Sequence, residues 1–441
     1  MKGPVGVSDI EALLAQYRQP AIMLHRPFPP VQRPRINSRL GGLPALPAGC
    51  DWPRSTEGMP LHFLAQIDCA ELPAGSNALP EEGLLFFFAR MDDEQLWGEG
   101  DPRDDCRVFF APSAQGETRQ APADLPRIMA GRRDFEDYFV LPGEPPFKTF
   151  PSWPVMALPI QSWPDESVVP DLPKESHDAY RQAVRRARAA EAMRVTGMPP
   201  LQRIAPSWSR ELRETGGRPD AAGPDSEPAF PQIWILAERI ARYVACCMKL
   251  EEGSVARGHS SRHEPETIRE VFAEAVNWVE LAATRGLDRV PEDGEGRRFV
   301  AWLRELCDPE GRDLSWTGYK AIEAGLLSTI QHAASSPDIA ARIPRRYLDR
   351  LEAEHAPATL ERRLGAHGWH IKPRFHQMLG HAGSSQQARG LESGDVLLLQ
   401  LVSDFGVNFL FWDGGEAEFW ISREDLSARR FERAWVTICG G

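Results

Sequence analysis

The chain has 441 residues, 42% of them hydrophobic, enough to bury a core of ordinary size in two or three domains or in one large domain with an insertion. Its formal net charge of −12 argues against general binding to a phosphate backbone, which clustered Lys and Arg drive by displacing counterions. Asp9 and Glu11 fall where a signal peptide needs an apolar region, and no run of about 18 apolar residues occurs, so the sequence predicts a soluble, cytoplasmic protein with no membrane partner.

Taken in order, Ile10, Leu13 and Leu14 recur at helical spacing behind Ser8-Asp9, predicting a short amphipathic helix over Val7 to Tyr17. Ala21 to His25 reads as a first strand. Phe28 to Pro60 contains too many prolines for a helix or an interior strand and is expected to be an ordered loop pinned by Leu46 and Trp52. Leu61 to Cys69 and Leu84 to Phe88 read as strands joined through Leu79-Pro80-Glu81-Glu82-Gly83. Cys106 to Ala111 and Asp137 to Leu141 are weaker strand patterns, and Trp153 to Gln161 fits an edge strand because of Pro154 and Pro159.

The character changes at about Asp171. A helix over Glu175 to Met193 carries Arg181, Arg185, Arg186 and Arg188, and a Pro/Gly-rich connector follows from Gly197 to Pro231. Helical periodicity then runs through Ile233 to Leu250, Pro265 to Ala283 and Gly296 to Cys307, and more weakly through Tyr319 to Ala334 and Pro337 to His355. In the first of these Ile233, Leu236, Ile240, Val244 and Cys247 mark a single buried face. After Leu364 strand patterns return over Val396 to Val402, Val407 to Trp412, Ala417 to Ile421 and Ala434 to Cys439, with a capping box at Ser422-Arg423-Glu424-Asp425.

The two β regions repeat a motif. Each opens on a Leu-Gly pair, Leu40-Gly41 and Leu379-Gly380, and reaches a glutamine inside an apolar strand, Gln66 and Gln400. Each then turns through a glycine, Gly83 or Gly415, into an aromatic strand. One apolar-faced sheet needs a partner to bury it, so the expected fold is α+β, with an antiparallel β core built from two related N- and C-terminal β regions and a large helical insertion between them. The expected boundaries are residues 1–165, 171–364 and 365–441.

These motifs resemble the YwqG-like family of bacterial proteins, a domain of unknown function. The resemblance rests on Leu40 to Pro44, Trp52-Pro53, Phe63 to Ile67 and Leu79 to Phe87. At the other end it rests on His376 to Gly380, Gln386 or Gln387, Leu398 to Gln400, Asp404, Trp412 with Gly415, and Phe419 to Leu426. It implies an α+β protein with antiparallel sheets. Because some members occur beside polymorphic-toxin genes, it also implies an immunity or other protein-binding role.

The residues themselves offer few chemical candidates. A buried amide needs hydrogen-bond partners, so Gln66 and Gln400 either tie loops to the sheet or face a ligand from equivalent places. His355, His367, His370, His376 and His381 cluster late in the chain, and Asp404 could add a carboxylate, but their glycine-rich loop lacks the spacing of a helical metal motif. No G-x-S-x-G elbow or phosphate-binding loop occurs, and Cys50, Cys69, Cys106, Cys246, Cys247, Cys307 and Cys439 form no C-x-x-C pair. The arginine helix has only Tyr180 as an aromatic, too little for stacking on bases, which argues against nucleic acid. The residues lead to the expectation of a non-enzymatic protein-binding protein without metal or cofactor, and the family resemblance implies that it is of the immunity type, with a toxin as partner. The alternative is a small-molecule-binding protein or enzyme using Gln66, Gln400, His376 and Asp404 in a cleft between the two β regions.

Overall fold

A computed structural model describes residues 7–26, 37–74, 76, 78–92, 103–113, 116–128, 140–141, 144, 147–165, 169, 172–196, 230–308, 312–333, 375–382, 394–404, 407–411 and 415–439. In chain order these form α1 (Val7–Tyr17), β1 (Gln19–His25), β2 (Arg39–Leu40), β3 (Ala45–Leu46), β4 (His62–Asp68), β5 (Leu84–Ala89) and β6 (Cys106–Ala111). Next come β7 (Glu117–Thr118), β8 (Trp153–Pro154), β9 (Met156–Ser162), α2 (His177–Thr196), α3 (Trp234–Ala256), α4 (Pro265–Arg285), α5 (Asp293–Leu306) and α6 (Ser315–Ala333). The last elements are β10 (Gln377–Met378), β11 (Val396–Val402), β12 (Glu416–Ile421), α7 (Arg423–Ser427) and β13 (Trp435–Cys439). The chain divides into a β unit of residues 1–136, 148–202 and 353–441 and a helical unit of residues 137–147 and 203–352.

The β unit holds a six-stranded sheet in the order β13-β12-β11-β10-β1-β9, a five-stranded sheet in the order β6-β5-β4-β2-β8, and the small pair β3-β7. Every strand pairing among the described residues is antiparallel, as the alternating and hairpin-linked sequence predicts. The five strands β6-β5-β4-β2-β8 and the five strands β13-β12-β11-β10-β1 follow one plan. Both central strands are irregular at the same place, with a register shift at Leu64 in β4 and at Leu398 in β11, two residues before each glutamine. A β-bulge is a specified feature of a strand rather than noise, so its recurrence is strong evidence that the two regions are copies.

The register corrects the sequence alignment by one residue. Gln66 pairs with Arg39 and Gln400 pairs with Gln377, which sets Gly41-Gly42, not Leu40-Gly41, against Leu379-Gly380. The backbone agrees: φ is 58° and 74° at Gly41 and Gly42, and 61° and 70° at Leu379 and Gly380. Glycine is needed at Gly41, because a Cβ there would lie 2.2 Å from the Pro151 carbonyl oxygen.

Two faces of apolar strand bury β4 and β5 completely. One face meets the other sheet, where Phe87 packs edge-on against Phe419 at 5.3 Å. The other is covered by the proline-rich loop, through Leu46 and Trp52, and by Leu125 beyond β7, packed on Leu84, Phe86 and Phe88. Trp52 is held there by its indole N–H, which donates to the Leu61 carbonyl at 2.7 Å. Full burial of one such aromatic contributes about 1.5–3 kcal/mol. The stretch expected as one edge strand splits at Val155, with β8 in the five-stranded sheet and β9 at the edge of the six-stranded one. The strand expected over Val407 to Trp412 does not form among its described residues, since Asn408 adopts φ 55° and only an isolated Asp404–Phe409 bridge remains.

Helix α2 was expected in the insertion, yet it packs on the β unit. Ala192 joins Ala21, Met23, Ile160 and Phe375, while Tyr180 and Val184 join Ile10 of α1 and Trp163. Its side chains also sheathe the open edge of β9: Glu191 accepts from the Gln161 N–H at 2.9 Å and Arg194 donates to the Pro159 carbonyl at 3.0 Å. In the helical unit, Ile233, Leu236, Ile240 and Val244 are buried as their spacing predicts, but Cys247 is only partly so. Ile235, Ala237, Ala241, Cys246 and Met248 are buried too, so α3 is enclosed on more than the single expected face. Trp278 of α4 packs on Phe299 and Trp302 of α5, and Glu274 accepts from the Trp302 indole at 3.0 Å and from Arg312 at 2.8 Å. The expected helix over Pro337 to His355, and all but the last two residues of the expected strand Asp137 to Leu141, lie outside the described residues.

Candidate functional site

The two glutamines are spent on equivalent bonds. Gln66 Nε2 donates to the Asn37 carbonyl at 3.0 Å, and Gln400 Nε2 donates to the Phe375 carbonyl at 3.0 Å, in each case two residues before the paired strand position. Gln66 Oε1 further accepts from Arg39 Nη2 and from the Ala45 N–H, both at 3.0 Å. Its amide thereby fastens the proline-rich loop to the sheet, as a buried amide must if it is not to cost stability.

His376 and Asp404 do come together, with Arg26. In the first copy the Asp68 N–H donates to Ser38 Oγ at 2.9 Å; at the equivalent place the Val402 N–H donates to His376 Nδ1 at 3.2 Å. Because Nδ1 accepts, the imidazole proton sits on Nε2, which donates to Asp404 Oδ2 at 3.1 Å. Arg26 grips the same carboxylate through Nε at 2.5 Å and Nη2 at 2.9 Å, and lies over the Trp153 ring at 4.4 Å. Burial pushes the Asp404 carboxyl up, but the Arg26 guanidinium and His376 override it and hold Asp404 well below the usual carboxylate range. The cluster has the residue types of a catalytic relay. Its geometry is that of a clamp, tying the end of β1 to β10 and to the turn after β11. The first copy uses a different carboxylate there: Glu71 accepts from the backbone N–H of Asn37 at 2.6 Å and of Ser38 at 3.0 Å.

The copies diverge most in one cross-strand row. Arg39, Gln66, Phe86 and Phe109 lie side by side in the first copy; Gln377, Gln400, Glu418 and Thr437 take their places in the second. Likewise Leu84 becomes Glu416 and Phe88 becomes Trp420. Glu416 and Glu418 are both 0% exposed and share one face of β12. Burial, and then the Glu416 carboxylate, push Glu418 up to about 8, against the pull of the Cys439 thiol and the Trp420 indole. Folding therefore favours the protonated form of this carboxyl. Sequence reading missed these two residues because Glu-Ala-Glu-Phe-Trp looks like a strand with a solvated face. The copy-to-copy comparison sets them at the places that Leu84 and Phe86 hold in the first copy.

Other ionisable groups are committed to structure. His62 Nδ1 accepts from the Met91 N–H at 3.1 Å while Nε2 meets the Pro126 carbonyl at 3.0 Å, and burial lowers this histidine to about 4. Burial likewise lowers His381 to about 4, and its Nε2 meets the Tyr17 carbonyl at 2.9 Å. On α2, Arg188 is buried and donates to the Trp163 carbonyl at 2.7 Å, and Arg181 pairs with Asp178, so the helix does not present four arginines to a partner. In the helical unit Ser261 and His263 both bind Glu251, with the hydroxyl on the carboxylate rather than on the imidazole, which is not the arrangement that activates a serine. Among the described residues no three His, Cys, Asp or Glu side chains are placed to hold a metal ion, and no helix is long and apolar enough to cross a membrane. His355, His367 and His370, together with Gln386, Gln387 and Trp412, lie outside the described residues.

Fold and site together define an α+β protein built on a duplicated antiparallel sheet, in which the second copy carries the buried pair Glu416 and Glu418 and the cluster of Arg26, His376 and Asp404. The chain matches the domain of unknown function DUF1963 over residues 38–211 and 314–439, more than half its length, and belongs to that family. Residues 212–313, between the matched segments, include α3, α4 and α5. No curated protein matches the chain.

Proposed function

We propose that this is a non-enzymatic protein-binding protein of the YwqG-like kind, acting in the bacterial cytoplasm as an immunity-type protein that neutralises a cognate toxin. The observation behind the reading is that Gln66, Gln400 and His376 are engaged by backbone groups, and Asp404 by the His376 and Arg26 side chains. Groups so occupied supply neither a free nucleophile nor a general base, which moves function from the strand interior to a surface. The segment between the two family-matched regions carries α3, α4 and α5, whose surface can vary in partner specificity without a change in the sheets.

The test is co-expression. Genes neighbouring that of the chain are expressed singly in a sensitive host, with and without the full-length chain, and growth and co-purification are followed. One neighbour should arrest growth alone, be rescued by the chain, and elute with it in fixed stoichiometry. If no neighbour is toxic, or a toxic one is not rescued, the immunity reading is wrong.

A further inference from the structure

The β unit contains a cleft of about 740 Å³ that is lined by none of the four residues above. It lies where the chain leaves β10, enters β11 and rounds α7, and this volume is in the range that encloses a small organic ligand. Leu79, Leu397, Trp420 and Leu426 give it apolar lining, while Arg423 and Arg429 line it from the exposed side.

The charges around it are sorted. Arg430 takes both nearby carboxylates, Asp425 through Nε at 2.6 Å and Glu424 through Nη2 at 2.8 Å. Asp395, also in the lining, accepts the Trp435 indole N–H at 2.9 Å. Arg423 and Arg429 are left with no side-chain hydrogen bond or ion pair among the described residues. In a chain of net charge −12, two uncommitted guanidinium groups beside one cleft form a local positive site.

Arg429 is also costly to keep. It follows α7 with φ 58°, and the Arg430 N–H reaches back to the Asp425 carbonyl at 2.8 Å, the helix-ending turn in which glycine is the favoured residue. A side chain retained where glycine fits better suggests that the side chain is used. We propose that this cleft binds a small organic anion, its carboxylate or phosphate oxygens on Arg423 and Arg429 and its apolar body against Leu397, Trp420 and Leu426. Guanidinium groups suit either anion, since their donors match paired oxygens. The proposal is independent of the protein-binding reading, because it concerns different residues.

The experiment is calorimetric titration of the full-length chain with indole-3-carboxylate, phenyl phosphate and the uncharged indole-3-carboxamide, repeated on Arg423→Ala and Arg429→Gly. Arg429→Gly suits the backbone at that turn, so it removes the charge without threatening the fold. At least one anion should bind, the carboxamide should bind at least tenfold more weakly, and each substitution should weaken the anion at least tenfold. The preferred anion identifies the ligand's charged group. Absence of binding by both anions, equal binding of the carboxamide, or unchanged affinity in both variants overturns the proposal.

Discussion

Glu418→Gln isolates the consequence of burying two carboxylates on β12. Glu418 is held at about 8, against an ordinary value of 4.5. Between those pH values the unfolded chain releases this proton while the folded chain keeps it, so the group's contribution to stability is greatest below pH 4.5 and falls as pH rises towards 8. At about 1.4 kcal/mol per pH unit, the loss reaches on the order of 3 kcal/mol at pH 7. Glutamine keeps an oxygen for the Trp420 indole, which donates to Glu418 at 3.2 Å, and cannot ionise. The variant should therefore gain on the wild type steadily between about pH 5 and 8, and no further above. Urea unfolding at one-unit intervals, followed by tryptophan fluorescence, reads this directly. A difference between the two proteins that is constant across that range would refute the reasoning and place Glu418 in its ordinary ionised state.

Three further outcomes follow from the β unit. Asp404→Asn leaves the buried Arg26 guanidinium without its counter-charge and should cost about 3–5 kcal/mol in urea unfolding at pH 7; because folding holds the Asp404 proton affinity down, the gap to wild type should narrow as pH falls below about 4. Gln66→Leu strands the Ala45 N–H and leaves the Asn37 carbonyl only the Arg39 Nη1 donor at 3.5 Å, at about 1–3 kcal/mol for a buried group left unpaired, so the urea midpoint should fall with no change in slope. The double substitution Glu191→Ala, Arg194→Ala uncovers the edge of β9, and concentration-dependent association should appear in light scattering while the circular dichroism spectrum is kept.

Most strands were legible because their signals are local. Apolar runs bounded by turns marked β4, β5, β11, β12 and β13, and Ser422 does cap α7, accepting the Asp425 N–H at 3.0 Å. What sequence could not settle was long-range. Periodicity shows that α2 has a buried face but not which surface covers it, and so α2 was assigned to the insertion although Ala192 lies on the sheet. Arg26 carries no local signal, because its carboxylate partner lies 378 residues away. The repeat was visible but misaligned by one residue, since Leu-Gly recurs in the letters at Leu40-Gly41 and Leu379-Gly380, whereas the left-handed pair falls on Gly41-Gly42. His376 and Asp404 meet at 3.1 Å, and Gln66 and Gln400 hold equivalent places in two different sheets.

The duplication also explains why the unusual groups gather in one copy. A fold of this kind needs each sheet to bury an apolar face, and the first copy meets that need with Leu84, Phe86 and Phe88 under Trp52 and Leu46. At the same three positions the second copy carries Glu416, Glu418 and Trp420, with only Trp420 among them in its small apolar cluster with Ala382, Leu397 and Trp435. Exchanging a buried leucine and phenylalanine for two buried carboxylates forfeits several kcal/mol of transfer energy and adds a desolvation cost. The first copy's core offsets that loss, because both copies belong to one unit and the sheets pack through Phe87 and Phe419. The second copy is thus free to carry residues that a self-sufficient sheet would exclude, and its margin at Trp420 is where the positively charged cleft opens.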